Sequence, residues 1–142
     1  MQMQQVSKST STNSLILSSI VNDLISETAP LAVNNRNFII NNVPADLRIE
    51  INDAIVSSVI SKLFYSVIRH SQNSGILISA KAYRVVVLVQ IKTNGNINPG
   101  LQEDIADASL KAQKTGGVIE VIHHANNQAS VAYCFLNVAN AV

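Results

Sequence analysis

Apolar residues return every three or four positions in three segments of the chain, and this spacing predicts three amphipathic helices. The first has Asn13 or Ser14 as its N-cap and Asn34-Asn35 as a left-handed stop. The second has the broadest apolar stripe. The helices are predicted at residues 14–34, from Asn52 or Asp53 to between residues 70 and 75, and at residues 101–114.

Between and after these helices, short runs rich in β-branched residues predict extended segments. Two hairpins are predicted, with turns at Ala82-Tyr83 and Asn126-Asn127. The extended segments are predicted at residues 38–41, 48–51, 76–81, 84–91, 118–123 and 129–138. Helices and hairpins in this order predict an α+β fold, a two-layer α/β sandwich with the helices on one face of a mixed β-sheet.

Successive side chains of a strand point to opposite faces, and the predicted hairpin strands are apolar on both. One face covers the helices, and the other faces water unless a partner covers it. We therefore expect a contact surface on the sheet or on an exposed flank of the first helix. The candidate contact residues are Val86 and Leu88 or Tyr133 and Phe135 on the sheet, and Leu17, Val21 and Ile25 on the helix.

Composition narrows the classes of partner. Apolar residues make up 47% of the 142 residues, charged residues 13%, and the net charge is +1. Such a weak positive charge does not suit a polyanion, so we expect no nucleic-acid partner. The apolar runs are too short to cross a bilayer and no basic-then-apolar leader opens the chain, so we expect a cytoplasmic protein without a membrane segment. With few charges for its surface, the chain is expected to form a homodimer or to bind another protein.

The domain organisation is simple. Residues 1–13 are nearly all Gln, Ser, Thr and Asn, a composition that cannot offset the entropy cost of ordering. We expect a disordered polar tail there, followed by a single domain over residues 14–142. Cys134 lies in an apolar strand, where a buried structural thiol is expected.

One stretch has the form of a phosphate-binding turn. In VQIKTNGNINPGLQED, residues 89–104, a β-branched strand runs into Asn94-Gly95 and then into a second glycine. No acidic residue lies between Val85 and Leu101 to act as a base or a metal ligand. Asn-Gly after a strand is most often only a turn, since both residues tolerate a positive φ.

Basic residues and histidines form two further candidates. Lys62, Ser66, Arg69 and His70 share one flank of the second helix, which suits either a phosphate or carboxylate ligand or an ordinary solvated face. His123 and His124 are neighbours in a strand and point to opposite faces, so they cannot hold one ion together and no metal site is predicted. No serine lies in a G-x-S-x-G elbow.

Four short sequence segments, taken in their order along the chain, resemble motifs of a known family. They are VNDLISETAPLAVNN at residues 21–35, VPADL at 43–47, VISKLFYSVIRHS at 59–71 and GGVIEV at 116–121. Together with the order of elements, they resemble the ATP-binding domain of sensor histidine kinases, the Bergerat or histidine kinase-like ATPase fold. The resemblance covers about residues 18 to 138.

The resemblance also implies which residues correspond to the family's nucleotide site. The asparagine that holds magnesium corresponds to Ser66, the asparagine one turn earlier to Lys62, and the aspartate that binds adenine to Thr93. Of the glycines only Gly95 is in place, and the long lid over the phosphates is reduced to about residues 96–100. A lone hydroxyl is a poor ligand for magnesium, and a hydroxyl lacks the charge of the aspartate. We therefore expect no catalytic residue, no metal and no useful binding of ATP or Mg²⁺. The vestigial nucleotide-binding residues are Lys62, Ser66, Arg69, His70, Thr93, Asn94 and Gly95.

The leading hypothesis is a non-catalytic histidine-kinase-like domain that acts as a protein-interaction or scaffolding module in bacterial two-component-type signal transduction. A first alternative is a nucleotide-binding sensor or anti-sigma-type kinase of the same fold, in which Lys62, Arg69 and Asn94 hold a nucleotide without magnesium. A second alternative is a histidine phosphotransfer protein. Such proteins add a helical hairpin that bears the histidine, and no second helix is predicted before residue 14.

Overall fold

The computed structural model describes residues 14–50, 54–114, 116–125 and 128–137. The predicted tail at residues 1–13, the predicted helix start at Asn52 or Asp53 and the predicted turn at Asn126-Asn127 lie outside the described residues. Among the described helices, none combines the length and the apolar character that a membrane span requires.

The described residues form three helices and nine strands. The helices are α1 (Leu17–Asn34), α2 (Ala54–Arg69) and α3 (Leu101–Gln113). The strands are β1 (Ser14–Ile16), β2 (Phe38–Asn42), β3 (Arg48–Glu50), β4 (Ser71–Gln72), β5 (Gly75–Tyr83), β6 (Val86–Thr93), β7 (Asn96–Ile97), β8 (Val118–His123) and β9 (Ala129–Leu136).

Five of these strands form one mixed sheet in the order β2-β5-β6-β9-β8. The pair β2 and β5 is parallel and the remaining pairs are antiparallel. Two small antiparallel pairs, β1 with β3 and β4 with β7, lie beside it. The helices pack on one face of the sheet, so the predicted α+β two-layer sandwich is confirmed.

The core lies between the helices and one face of the sheet. On β6 and β9 the odd-numbered residues are buried, among them Val89, Tyr133 and Phe135. From α2, Leu63 and Phe64 pack into the same core with 1% of their surface exposed. Burying a side chain of this size contributes about 1.5–3 kcal/mol, so this layer supplies much of the stability of the fold. The expectation that Tyr133 and Phe135 form a contact surface is therefore wrong, because their face is the one that the helices cover.

The first helix begins later than the pattern predicted. Residues 14–16 form β1, in which Ile16 pairs with Arg48 of β3, and the backbone N–H of Leu17 donates to the carbonyl of Leu47. Ile16 is the N-cap and has no side-chain hydrogen bond, so the predicted cap at Asn13 or Ser14 is wrong. Strand pairing satisfies backbone groups that a polar cap would otherwise serve.

The predicted contact flank of the first helix is also wrong. Leu17 and Val21 expose 0% and 1% of their surface, and they face the core together with Leu24, Thr28 and Ala32. Thr28 is tolerated there because its hydroxyl donates to the carbonyl of Leu24 at 2.8 Å. The helix ends at Asn34 as predicted, but the left-handed stop is Arg36, at φ 59°, rather than Asn34 or Asn35.

The turn of the hairpin between β5 and β6 is displaced by two residues from the prediction. Ala82 and Tyr83 belong to β5, and Tyr83 pairs with Val86 of β6. The two-residue turn is Arg84-Val85, with Arg84 at φ 59°, as tight hairpin turns require. Neither turn residue is Gly, Pro, Asn or Asp, so no typical turn residue marks this position in the sequence.

Candidate functional site

Two basic side chains at the end of α2 converge on one carboxylate of α3. Arg69 Nη1 lies 2.6 Å from Asp104 Oδ2, and His70 Nε2 lies 2.8 Å from the same oxygen. The carboxylate accepts both hydrogen bonds, so the imidazole N–H points at Asp104. We call Arg69, His70 and Asp104 the Asp104 cluster.

The connection before α3 positions Asp104. The backbone N–H of Asn98 donates to the carbonyl of His70 at 2.8 Å, which fixes the connection to the end of α2. The side chain of Asn98 accepts from the N–H of Gly100 at 2.8 Å, and its carbonyl accepts from the N–H of Leu101. Leu101 is 1% exposed and anchors the first turn of α3 in the core. Asp104 therefore lies in the first helical turn, where the helix dipole also favours a negative charge.

The cluster lowers the pKa of Asp104. The hydrogen bond from His70 has the largest effect, and partial burial opposes it. The positive charges of Arg69 and Lys62 lower the pKa of Asp104 further. The carboxylate is therefore held in its charged form, although 28% of the side chain is exposed.

Ser66 does not belong to this group. Its side chain is 0% exposed, and among the described residues its Oγ has no hydrogen-bond partner. Of the four residues predicted on one flank of α2, Lys62, Arg69 and His70 have their side-chain nitrogens near Asp104, whereas Ser66 faces the core. The basic end of this flank therefore meets a carboxylate that comes from the chain itself rather than from a ligand.

The segment Thr93-Asn94-Gly95 is a closed turn. Thr93 Oγ1 accepts from the N–H of Gly95 at 3.2 Å, and Asn94 Oδ1 accepts from the N–H of Gly75 at 2.7 Å. A Cβ at residue 95 would collide with Ser74 Oγ and lie 3.0 Å from the carbonyl oxygen of Gln72. Glycine is required here for close packing, and the polar groups of the turn are occupied by the protein.

Residues 96–100, which by the resemblance correspond to the lid, are also held by backbone hydrogen bonds. Asn96 and Ile97 form β7, which pairs with β4 directly after α2. The cavity beside this pair is lined by Arg69, His70, Gln72, Ile97 and Asn98 and has a volume of about 220 Å³. Pockets for drug-sized ligands typically hold about 300–1,000 Å³, so this cavity is small for a nucleotide.

The structure places the two neighbouring histidines apart. His123 Nε2 lies 3.0 Å from Gln102 Nε2, and His124 Nε2 lies 2.8 Å from Ser130 Oγ. Across the described ranges, no group of three or more His, Cys, Asp or Glu residues is arranged to hold a metal ion. Cys134 is half-buried on the sheet face away from the helices, which corrects the expectation of a buried thiol.

Two residues of the site were missed by sequence analysis. Asp104 was not singled out, although an acidic residue in the first turn of a predicted helix is a recognisable signal. Asn37 is 8% exposed, and its amide donates to the carbonyls of Ile68 and Ser71 while its oxygen accepts from the N–H of Ser74. It caps the end of α2 from a loop more than thirty residues away, which no local pattern reveals.

Comparison with known proteins defines the fold. No protein-family model and no curated protein matches the sequence. Among solved structures, the catalytic domain of histidine kinase ThkA superposes with a TM-score of 0.71 at 15% identity, over 87% of this chain and 94% of that domain. Acinetobacter baumannii histidine kinase AdeS gives a TM-score of 0.74 at 11% identity, over 87% of this chain and 66% of that one.

Full-length ShkA in complex with AMPPNP gives a TM-score of 0.72 at 15% identity, over 89% of this chain and 31% of that one. The chain therefore spans about two thirds of AdeS and about a third of ShkA. The fold is that of histidine kinase catalytic domains, and the predicted histidine kinase-like ATPase fold is confirmed.

Proposed function

We propose that the chain is a non-catalytic histidine-kinase-like domain that acts as a protein-interaction module in two-component-type signal transduction. The Asp104 cluster is the main support for this proposal. In it the chain's own carboxylate binds the basic groups that, by the resemblance, would face a nucleotide's phosphates.

The charges of the cluster oppose nucleotide binding. Arg69 and His70 already share the negative charge of Asp104, so a phosphate would have to displace that carboxylate or lie beside it. Like charges close together in a partly buried site are unfavourable. The cleft therefore offers a nucleotide little net attraction.

The residues that would bind magnesium and adenine are also replaced. Ser66, which replaces the magnesium-binding asparagine, is buried in the core and turned away from the Asp104 cluster. Thr93, which replaces the adenine-binding aspartate, is 5% exposed, and its hydroxyl already accepts from Gly95. Both replacements support a domain without catalytic activity.

The sheet face opposite the helices, which we call the open face, supports the interaction role. At the end of this face near the β5–β6 turn, the cross-strand pairs Val86 with Leu136 and Leu88 with Cys134 bring apolar side chains together. Tyr83, Val118 and Leu136 expose 55%, 63% and 58% of their surface. Contiguous exposed apolar residues of this kind mark protein contact sites. We call this surface the contact patch, and its residues are Tyr83, Val86, Leu88, Val118, Cys134 and Leu136.

The experiment that tests this role places a charge in the contact patch. Leu136→Glu is expected to abolish association, because a glutamate at the centre of an apolar contact is desolvated and unpaired. Leu110→Glu is the matched control, since Leu110 is 63% exposed on α3, away from the sheet. Association is measured by sedimentation velocity at tens of micromolar and by co-purification of partners with the tagged chain.

The proposed function predicts a wild-type chain that self-associates or retains a partner, with loss in Leu136→Glu and none in Leu110→Glu. A wild-type chain that sediments as a monomer and retains no partner contradicts it. Equal effects of the two substitutions contradict the placement of the contact on the open face.

A further inference from the structure

The opposite end of the open face is concave. A groove of about 620 Å³ lies across β2, β5, β6 and the connection between β8 and β9. A row of cross-strand neighbours separates it from the contact patch, and we call it the polar row because three of its four residues are polar: Ser79, Gln90, Ala132 and Glu120. The groove is thus a feature distinct from both the contact patch and the Asp104 cluster.

One wall of the groove is apolar and well fixed. Phe38 and Ile40 of β2 expose 60% and 50% of their surface, and Ile40 pairs with Leu77 of β5. A Cβ at residue 75 would lie 2.7 Å from Phe38 Cζ, so the aromatic ring rests against the backbone of Gly75. The absence of a side chain at Gly75 therefore leaves room for the ring in this position.

The polar side of the groove is largely occupied by internal hydrogen bonds. Asn94 Oδ1 accepts from Gly75, Gln128 Nε2 donates to the carbonyl of Asn94 at 3.4 Å, and His124 binds Ser130. Lys92 is the exception, since its side chain is exposed and no carboxylate of the described residues forms an ion pair with it.

Among the described residues that line the groove, none is acidic. Glu120, the acidic residue of the polar row, lies on β8, two strands away from Lys92 in the sheet order. An ammonium group without a counter-ion beside an apolar wall is complementary to an anion that carries an apolar body.

We infer that this groove binds a small amphipathic carboxylate, with its apolar body against Phe38 and Ile40 and its carboxylate on Lys92. The volume falls within the range of about 300–1,000 Å³ that is typical of ligand pockets. A flat aromatic or short aliphatic body matches the ring of Phe38 and the aliphatic side chains of Ile40 and Leu77. The inference does not depend on the proposed function, because the contact patch is at the other end of the open face.

A matched pair of probes tests this site. The full chain is titrated with 1-naphthaleneacetate and with the neutral isostere 1-naphthaleneacetamide, and binding is followed by backbone amide chemical shifts in two-dimensional NMR. At about 0.3 kcal/mol per heavy atom, the acid is expected to bind with a dissociation constant of about 1 mM or tighter. The shifts are expected at Gly75, Ile76 and Asn94, and the amide is expected to bind about tenfold more weakly.

Two lysine substitutions separate the contribution of the charge to binding from that of the shape of the groove. Lys92→Met removes the charge, keeps an unbranched side chain one atom shorter, and is expected to weaken the acid about tenfold while leaving the amide unchanged. Lys81 lies on β5, on the open face but outside the groove. Lys81→Met is therefore expected to change the binding of neither the acid nor the amide. Any one of three results overturns the inference. They are equal binding of acid and amide, unchanged binding of the acid in Lys92→Met, and no shifts at these residues up to 10 mM, on the order of ten times the expected dissociation constant.

Discussion

His70 and Asp104 are joined by a hydrogen bond of 2.8 Å that links the residue after α2 to the first turn of α3. The same carboxylate oxygen accepts from Arg69 at 2.6 Å, so one side chain of α3 receives both basic groups from the end of α2. Because α2 also supplies many of the buried side chains of the core, this link joins α3 to a central element of the fold.

Removing the charge of Asp104 is expected to lower the stability of the protein. Asp104→Asn should reduce the free energy of unfolding by about 1 kcal/mol, a modest loss because the pair is partly exposed. Glu103→Gln is the control, since Glu103 lies in the same first turn and shares the helix dipole without belonging to the cluster. Urea unfolding measures both. Equal losses would assign the effect to the dipole rather than to Arg69 and His70.

The contribution of Asp104 is also expected to depend on pH. Its pKa is lower in the folded chain than the ordinary value of 3.8, chiefly through the hydrogen bond from His70, so the unfolded state takes up a proton first as pH falls. The stabilisation is complete above the unfolded pKa and is lost as pH falls through the folded one. The difference between wild type and Asp104→Asn should therefore persist down to about pH 5 and shrink below about pH 4. A difference that grows as pH falls below about 4 contradicts this.

Two buried serines are expected to respond in opposite ways to the same substitution. Ser66 Oγ has no hydrogen-bond partner among the described residues, so Ser66→Ala should raise the free energy of unfolding by about 1 kcal/mol. Ser71 Oγ donates to the carbonyl of Val67 at 2.6 Å, so Ser71→Ala should lower it by a similar amount, about 1 kcal/mol. Thermal unfolding distinguishes the two. Destabilisation by Ser66→Ala would show that its hydroxyl is satisfied in solution.

The turn at residue 95 is expected to tolerate only glycine. Gly95→Ala should destabilise by about 1–3 kcal/mol, because the new methyl group collides with Ser74. The double variant Gly95→Ala/Ser74→Gly removes the colliding side chain and should recover part of the loss. Gly116→Ala is a useful comparison, since that site has open space but a φ of 75°, and it should cost about 1–2 kcal/mol through backbone strain alone. No recovery in the double variant would contradict the close approach.

The regular parts of the fold could be predicted from the sequence because they follow from periodicity. The 3.6-residue spacing of α2 correctly predicted which side chains of that helix are buried. The alternation along β6 predicted that Val87, Val89 and Ile91 share one face, and packing decided that this face is the buried one. The flank of α1 could not be assigned in the same way, since it has apolar residues on two adjacent stripes and only packing decides between them.

The site was less accessible to sequence analysis. Asn94-Gly95 forms the predicted turn, but neither residue adopts the positive φ on which that prediction rested. The ion pair of Arg69 with Asp104 depends on how the connection at residues 96–100 folds back onto the end of α2. That geometry is set by tertiary hydrogen bonds, which leave no periodic signal in the chain.

The central claim, a histidine-kinase-like domain that no longer uses a nucleotide, is tested most directly by thermal unfolding of the full chain with millimolar Mg-ATP, Mg-ADP and ATP without magnesium. A nucleotide bound with micromolar affinity and present at hundredfold excess would stabilise the fold by about 2.7 kcal/mol, which raises the melting temperature by several degrees. We predict no rise with any of the three. A rise that disappears in Arg69→Ala would contradict the account and would assign the chain as a nucleotide sensor of the same fold.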